Sequence, residues 1–261
     1  MTMTPTQHKD PRVLPHESEQ ERSARERLTE LMSDTPIPAV YLIDHLGIYL
    51  RRHQVADLLS MDALYRLARD VPGVMMEFGV LHGRHLAALT ALRGIHEPYN
   101  ATRRIVGFDT FTGFPDIGEV DRVSPSAVLG RFATEEGFVE HLREVLACHE
   151  ALEPHGHVQR TFVVPGDVRD TVPEYLTDNP QTIVSLAYFD LDLYEPTRDV
   201  LQMIRPHLVR GSIIAFDELA HPKWPGETVA LQETLGLDRA DLRWLDVPGR
   251  EAPIGYMRWE G

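Results

Sequence analysis

Residues 74–83, V-M-M-E-F-G-V-L-H-G, decide how this chain folds. An apolar run of strand length ends at Gly79, and a helical pattern takes over from residue 82 to about 92. A strand, a glycine turn and a helix in that order open a βαβ unit. Gly79 would let the backbone approach a bound molecule, and Gly83 would let the helix lie close to its strand. A dinucleotide site asks for G-x-G-x-x-G, because a pyrophosphate needs closely spaced backbone N–H groups. The spacing here is E-x-G-x-x-x-G from Glu77, which suits a ligand without phosphates, such as S-adenosylmethionine. Taken alone, the segment reads equally well as a plain strand-to-helix turn.

Further along, strand and helix signals alternate. Strands are expected at 104–108, 158–164, 182–189 and 211–216, with helices at about 135–150, 196–208 and 226–235. Two closing strands are expected at about 242–247 and 253–259, and residues 116–126 read as an exposed loop. Such alternation implies right-handed crossovers and a Rossmann-like α/β fold, its sheet mainly parallel with an antiparallel hairpin at one edge. Residues 1–21 read as a mobile tail and 22–70 as an N-terminal helical segment, with Ser60 and Asp62 as caps near a break. The main domain is expected to span 71–261.

Composition narrows the function. A net charge of −14, without a lysine or arginine run, disfavours a nucleic-acid partner. No apolar run reaches the length of a membrane span, and the single cysteine, Cys148, excludes an internal disulfide. A cytoplasmic location is expected. Lysine occurs only at Lys9 and Lys223, so a catalytic lysine has few places to be.

Acids mark the ends of the expected strands. Asp109 could accept the hydroxyls of a ribose and Asp167 an adenine amino group, although each also reads as a turn or helix cap. The densest chemistry is at Asp190 and Asp192, then Asp217 and Glu218. If the 182–189 strand continued, its two-residue period would put Asp190 and Asp192 on one face. The next strand would bring Asp217 and Glu218 beside them. Carboxylates so crowded raise one another's pKa unless a divalent cation intervenes, and oxygen-only ligands favour Mg²⁺ or Mn²⁺. Helix capping is the competing reading for Asp192, because Pro196 could begin the next helix.

The motifs E-F-G-V-L-H-G-R (77–84), F-D-T-F-T-G-F-P (108–115), P-G-D (165–167), F-D-L-D-L-Y-E-P-T (189–197) and F-D-E (216–218) together resemble the macrocin O-methyltransferase family of sugar methyltransferases. The resemblance covers about residues 70–235. It implies a class I S-adenosylmethionine-dependent methyltransferase fold and Mg²⁺-dependent methylation of a deoxysugar hydroxyl in natural-product biosynthesis. The 3-hydroxyl of rhamnose, as a TDP-sugar or a glycoside, is the foremost candidate. Carried across by motif, Asp190, Asp217 and Glu218 would bind the metal, and Asp192 would be the general base, with His221 as the alternative. Glu77, Gly79, Asp109 and Asp167 would hold the cofactor, joined by Gly83, Thr110, Phe111, Val168 and Asp190. Where the family commonly has D-D, this chain has Asp217-Glu218, one methylene longer at the second acid.

Other readings are distinguishable. A catechol-type O-methyltransferase would use a lysine base, for which Lys223 is available, and a non-haem iron oxygenase would recruit His82 and His85. Tyr188, Tyr194 and Trp224 could line a substrate pocket, and Arg52, Arg122 or Arg131 could meet a nucleotide. The N-terminal helices suit a homo-oligomer contact.

Overall fold

The computed structural model describes residues 18–238, 240–250 and 252–261. The expected tail therefore lies outside the described residues as far as residue 17. The chain divides into two compact units between Arg51 and Arg52. In the first, α1 (Glu19–Ser33) starts with a capping box, in which Ser18 Oγ accepts from Glu21 N–H and the Glu21 carboxylate accepts from Ser18 N–H. α2 (Ala39–His45) runs into a 3₁₀ turn, Leu46–Tyr49. No residue of these elements is buried, and Val40, Tyr41, Ile43 and Ile48 are exposed.

The second unit begins with α3 (Arg52–Ala68). The expected break at Ser60 and Asp62 is absent. Ser60 Oγ instead donates to the Ala56 carbonyl at 2.8 Å, which satisfies the hydroxyl inside a continuous helix. Then follow β1 (Val74–Phe78), α4 (Arg84–His96), β2 (Ile105–Asp109), α5 (Phe138–Leu152), β3 (Thr161–Pro165), α6 (Val168–Asp178), β4 (Val184–Phe189), α7 (Tyr194–Ile204), β5 (Leu208–Phe216), α8 (Gly226–Thr234), β6 (Leu242–Trp244) and β7 (Gly255–Arg258). Helix α6 was not expected; Pro173 inside it obscures the pattern. The 116–126 loop is also less exposed than expected, because a 3₁₀ turn at Asp121–Val123 buries Asp121.

The sheet order is β3-β2-β1-β4-β5-β7-β6, with β1 to β5 parallel and β7 antiparallel to both its neighbours. The expected edge hairpin is therefore present. Strand order reverses between β1 and β4, the topological switch point at which ligands bind in open α/β sheets. Four strands carry a phenylalanine at one level, the last residue of β1, β4 and β5 and the last but one of β2: Phe78 pairs in register with Phe108 and Phe189, and Phe189 with Phe216. Their rings touch in sequence, with centroids 5.4, 5.0 and 5.2 Å apart, and all four are fully buried. This aromatic row fixes the height at which the next residue of each strand emerges, namely Gly79, Asp109, Asp190 and Asp217.

Candidate active site

The phenylalanine row forms an apolar support under two groups of turns. On one side, Gly79 has φ +94°, and a Cβ there would come within 1.9 Å of the Asp190 carbonyl. Only glycine lets these two turns meet. Asp109 braces the glycine turn: its Oδ2 accepts from Val80 N–H (2.7 Å) and Leu81 N–H (2.8 Å), and its Oδ1 from Phe111 N–H (2.6 Å). Thr110 Oγ1 donates to the Gly113 carbonyl, closing the same turn. Asp167 caps α6 through Arg169 N–H and pairs with the Arg169 side chain, which holds its carboxyl below the usual range. Glu77 is fully buried beneath the glycine turn, and neither of its oxygens has a hydrogen-bond partner. Burial and then the nearby Asp109 raise its pKa well above the ordinary value.

The other side is built from acids. Strand β4 ends at Phe189, so Asp190 and Asp192 sit in the following turn, not on a continued strand face. Asp192 has φ +61°. Burial, then Asp217 and Asp192, push the Asp190 carboxyl well up. Burial, then Glu218 and Asp217, do the same for Asp192, against the opposing charge of Arg131. Capping of α7 is not the job of Asp192. The first helical N–H, on Tyr194, is accepted by both oxygens of the distant Asp121 at 3.1 Å. Asp217 Oδ1 accepts from Tyr188 OH (2.6 Å) and Arg250 Nη2 (2.5 Å), and Arg250 is held from behind by Asp57. Glu218 lies 3.5 Å from His221 Nδ1.

Between the two sides runs an open cleft of about 720 Å³, counted out into the adjoining solvent. Of the expected residues, Gly79, Asp109, Thr110, Asp167, Val168, Asp190 and Asp192 line it together. Glu77 lies beneath its floor, Gly83 packs against Leu142, and Phe111 is buried in the core. Asp217 and Glu218 stand behind Asp192, close enough to shift its proton equilibrium. Arg131 and Phe132 complete the wall, with Arg131 stacked 4.8 Å over the Phe132 ring. The sequence reading passed over Glu227, which is fully buried among the acids, and Arg250, whose partners lie far away in the chain.

The competing residue sets do not converge. His82 is exposed beside Glu135, whereas His85 is buried against Tyr188 and, through burial and Arg84, brought down to about 3 and hence neutral. Lys223 is exposed on the surface. Oxygen donors of the acid turns have the chemistry a hard divalent cation prefers. Asp217, however, is tied to Arg250, and among the described residues no three His, Cys, Asp or Glu side chains are grouped as a metal site. Gly79, which lines the cleft without a side chain, fits a cofactor that packs close to backbone.

Comparison with known proteins identifies the family. A family model described as a methyltransferase domain matches residues 76–219. A crystal structure of a calicheamicin methyltransferase, CalS11, is 58% identical, covers 99% of this chain and 100% of its own, and superposes with a TM-score of 0.90. A second structure of that protein, described as a TDP-rhamnose 3'-O-methyltransferase of calicheamicin biosynthesis, is 54% identical over 94% of this chain and 97% of its own, with a TM-score of 0.81. The demethyldecarbamoylnovobiocin O-methyltransferase of Streptomyces niveus is 26% identical over 82% of this chain and 75% of its own length. The resemblance read from the strand-end motifs is thereby borne out. With the glycine turn at the switch point and acids facing it across one cleft, the chain belongs to this methyltransferase family and is an S-adenosylmethionine-dependent O-methyltransferase.

Proposed function

We propose that the enzyme methylates a hydroxyl of a deoxysugar, with the 3-hydroxyl of TDP-linked rhamnose as the foremost acceptor, during natural-product biosynthesis. The observation that supports this reading is the cleft in which Gly79 meets the Asp190–Asp192 turn, an arrangement that would bring a bound methyl donor close to a proton acceptor. Whole-length similarity to a TDP-rhamnose 3'-O-methyltransferase supports the choice of acceptor.

In this reading Glu77, Gly79, Asp109 and Asp167, with Gly83, Thr110, Phe111 and Val168 shaping their turns, hold S-adenosylmethionine. Asp192 takes the proton of the attacking hydroxyl, with His221 as the alternative base. The place of Asp192 on the cleft wall, in the turn that meets Gly79, suits it to that task. Arg131 lines the same wall and is placed to meet an anionic part of the acceptor. Asp190, Asp217 and Glu218 would hold Mg²⁺ or Mn²⁺, which requires Asp217 to exchange its Arg250 partner for the ion, and the ion would supply Lewis acidity that lowers the pKa of the acceptor hydroxyl. Alignment of donor and acceptor in one cleft accounts for the protein's largest share of the rate.

The test is a panel of TDP-deoxysugars, sugar glycosides and catechols, followed by mass spectrometry with and without chelator. Methyl transfer to the sugars alone is expected, and it should fall on chelation. Preference for a catechol would overturn the acceptor, and full activity in chelator would overturn the metal. No helix among the described residues is long and apolar enough to cross a membrane. The exposed Val40, Tyr41, Ile43 and Ile48 support a homo-oligomer, which light scattering would detect.

A further inference from the structure

We infer that Gly226 and Glu227, at the start of α8, form a clamp that sets the distance between the two acid-bearing turns. Glu227 is fully buried, yet it does not line the cleft. Its Oε1 accepts from Leu191 N–H at 3.3 Å, in the turn between Asp190 and Asp192. Its Oε2 accepts from Glu218 N–H at 3.0 Å, in the turn after β5. One carboxylate thus joins the backbones of the two segments beyond the last sheet bond between them, from Asp217 N–H to the Phe189 carbonyl.

Gly226 is the second half of the clamp. A Cβ at this position would lie 2.5 Å from Tyr194 N, 2.6 Å from the Asp192 carbonyl oxygen and 2.7 Å from Asp121 Oδ1. Two of these are backbone atoms, which cannot swing away as a flexible side chain would. Glycine therefore lets α8 begin in direct contact with the Asp192 turn, and from there Glu227 is long enough to reach both amides. A carboxyl whose two oxygens accept from main-chain donors of two segments fixes backbone and not merely a rotamer. Glu227 acts through the acids it aligns, so it is a positioning residue.

The experiment is amide hydrogen exchange on the full-length protein, comparing wild type with E227A, E227Q and G226A, beside S-adenosylmethionine affinity and thermal unfolding. E227A should speed exchange at Leu191 and Glu218 together by about tenfold or more, the factor expected when a buried donor loses its hydrogen-bond acceptor. E227Q keeps one acceptor and should release mainly one of the two turns. S-adenosylmethionine affinity should stay within a few-fold in both variants. Where methyl transfer is measured, kcat should fall by about 100-fold in E227A, the cost of misplacing reacting groups by about 1 Å. G226A should disturb the same two turns without removing the carboxylate. Unchanged exchange at either turn in E227A, or equal release of both turns by E227Q, would overturn the clamp. If E227A fails to fold, the E227Q pattern decides. Exchange needs no acceptor, so this result stands apart from the choice of substrate.

Discussion

The two sides of the cleft use the same residue type in opposite ways. On the β1–β3 side, Asp109 and Asp167 bind backbone N–H groups, and Asp167 also has an arginine partner. On the β4–β5 side, Asp190 and Asp192 crowd against other carboxyls and are pushed well above the ordinary range. The difference teaches how to tell a structural aspartate from a chemical one. An acid whose hydrogen bonds favour its charged form holds a turn in place. An acid crowded by like charges at a cleft wall holds on to a proton or attracts a cation. Gly79 is where the two sides touch, and its missing side chain keeps them in one cleft.

The comparison can be broken by substitution, and the largest effect should come from the acid side. D192N is expected to lower kcat by about 10³-fold, within the range for loss of a general base, while S-adenosylmethionine affinity remains near wild type. Retained turnover in single-turnover kinetics would pass the base role to His221. R250Q leaves the half-buried Asp217 without its cation, while Asp57 keeps Arg84, so unfolding in urea should show a loss of about 3 kcal/mol. An unchanged unfolding midpoint would mean that solvent already screens the pair.

On the cofactor side the effects should be smaller and of another kind. D109N can satisfy fewer of the three backbone N–H groups, so stability should fall by about 2 kcal/mol and S-adenosylmethionine should bind more weakly. Calorimetry showing intact cofactor affinity would remove Asp109 from the binding role. The smallest effect concerns Asp121, whose pKa is raised by burial from 3.8 to about 6. Its folded form binds the proton more tightly than the unfolded form. Its contribution to stability is therefore greatest below about pH 4 and lost as pH rises through about 6. D121N should accordingly melt a few degrees higher than wild type near pH 8, with the gap closing near pH 4. A gap that widens on acidification would reverse the sign and restore the α7 cap as the dominant role of Asp121.

Several parts of the site were legible in the residues. The repeated F-G and F-D pairs at 78–79, 108–109, 189–190 and 216–217 mark strand ends, because each apolar run stops where a polar group must leave the core. The α/β alternation and the edge hairpin follow from local period and length. Helix α6 stayed hidden because Pro173 mimics a breaker, although packing of Val168 and Val172 against the sheet overrides it. The Ser60 break was expected because serine often caps, yet its hydroxyl found the Ala56 carbonyl in the same helix.

The sequence by itself determined the residue types at each strand end, since burying phenylalanine and exposing an acid or glycine is a local choice of solvation. Tertiary structure decided which of those ends are neighbours. The strand order reverses between β1 and β4, and parallel register then levels Phe78 with Phe189, bringing Gly79 against Asp190. It also decided the partners: Asp121 for the α7 N-terminus, Arg250 for Asp217, and Glu227 for the two acid turns. These pairs are separated by 73, 33 and 36 residues for the Asp121, Arg250 and Glu227–Leu191 contacts. No local pattern encodes them, because a buried polar group seeks whatever donor or cation the fold carries to it, however far away in the chain.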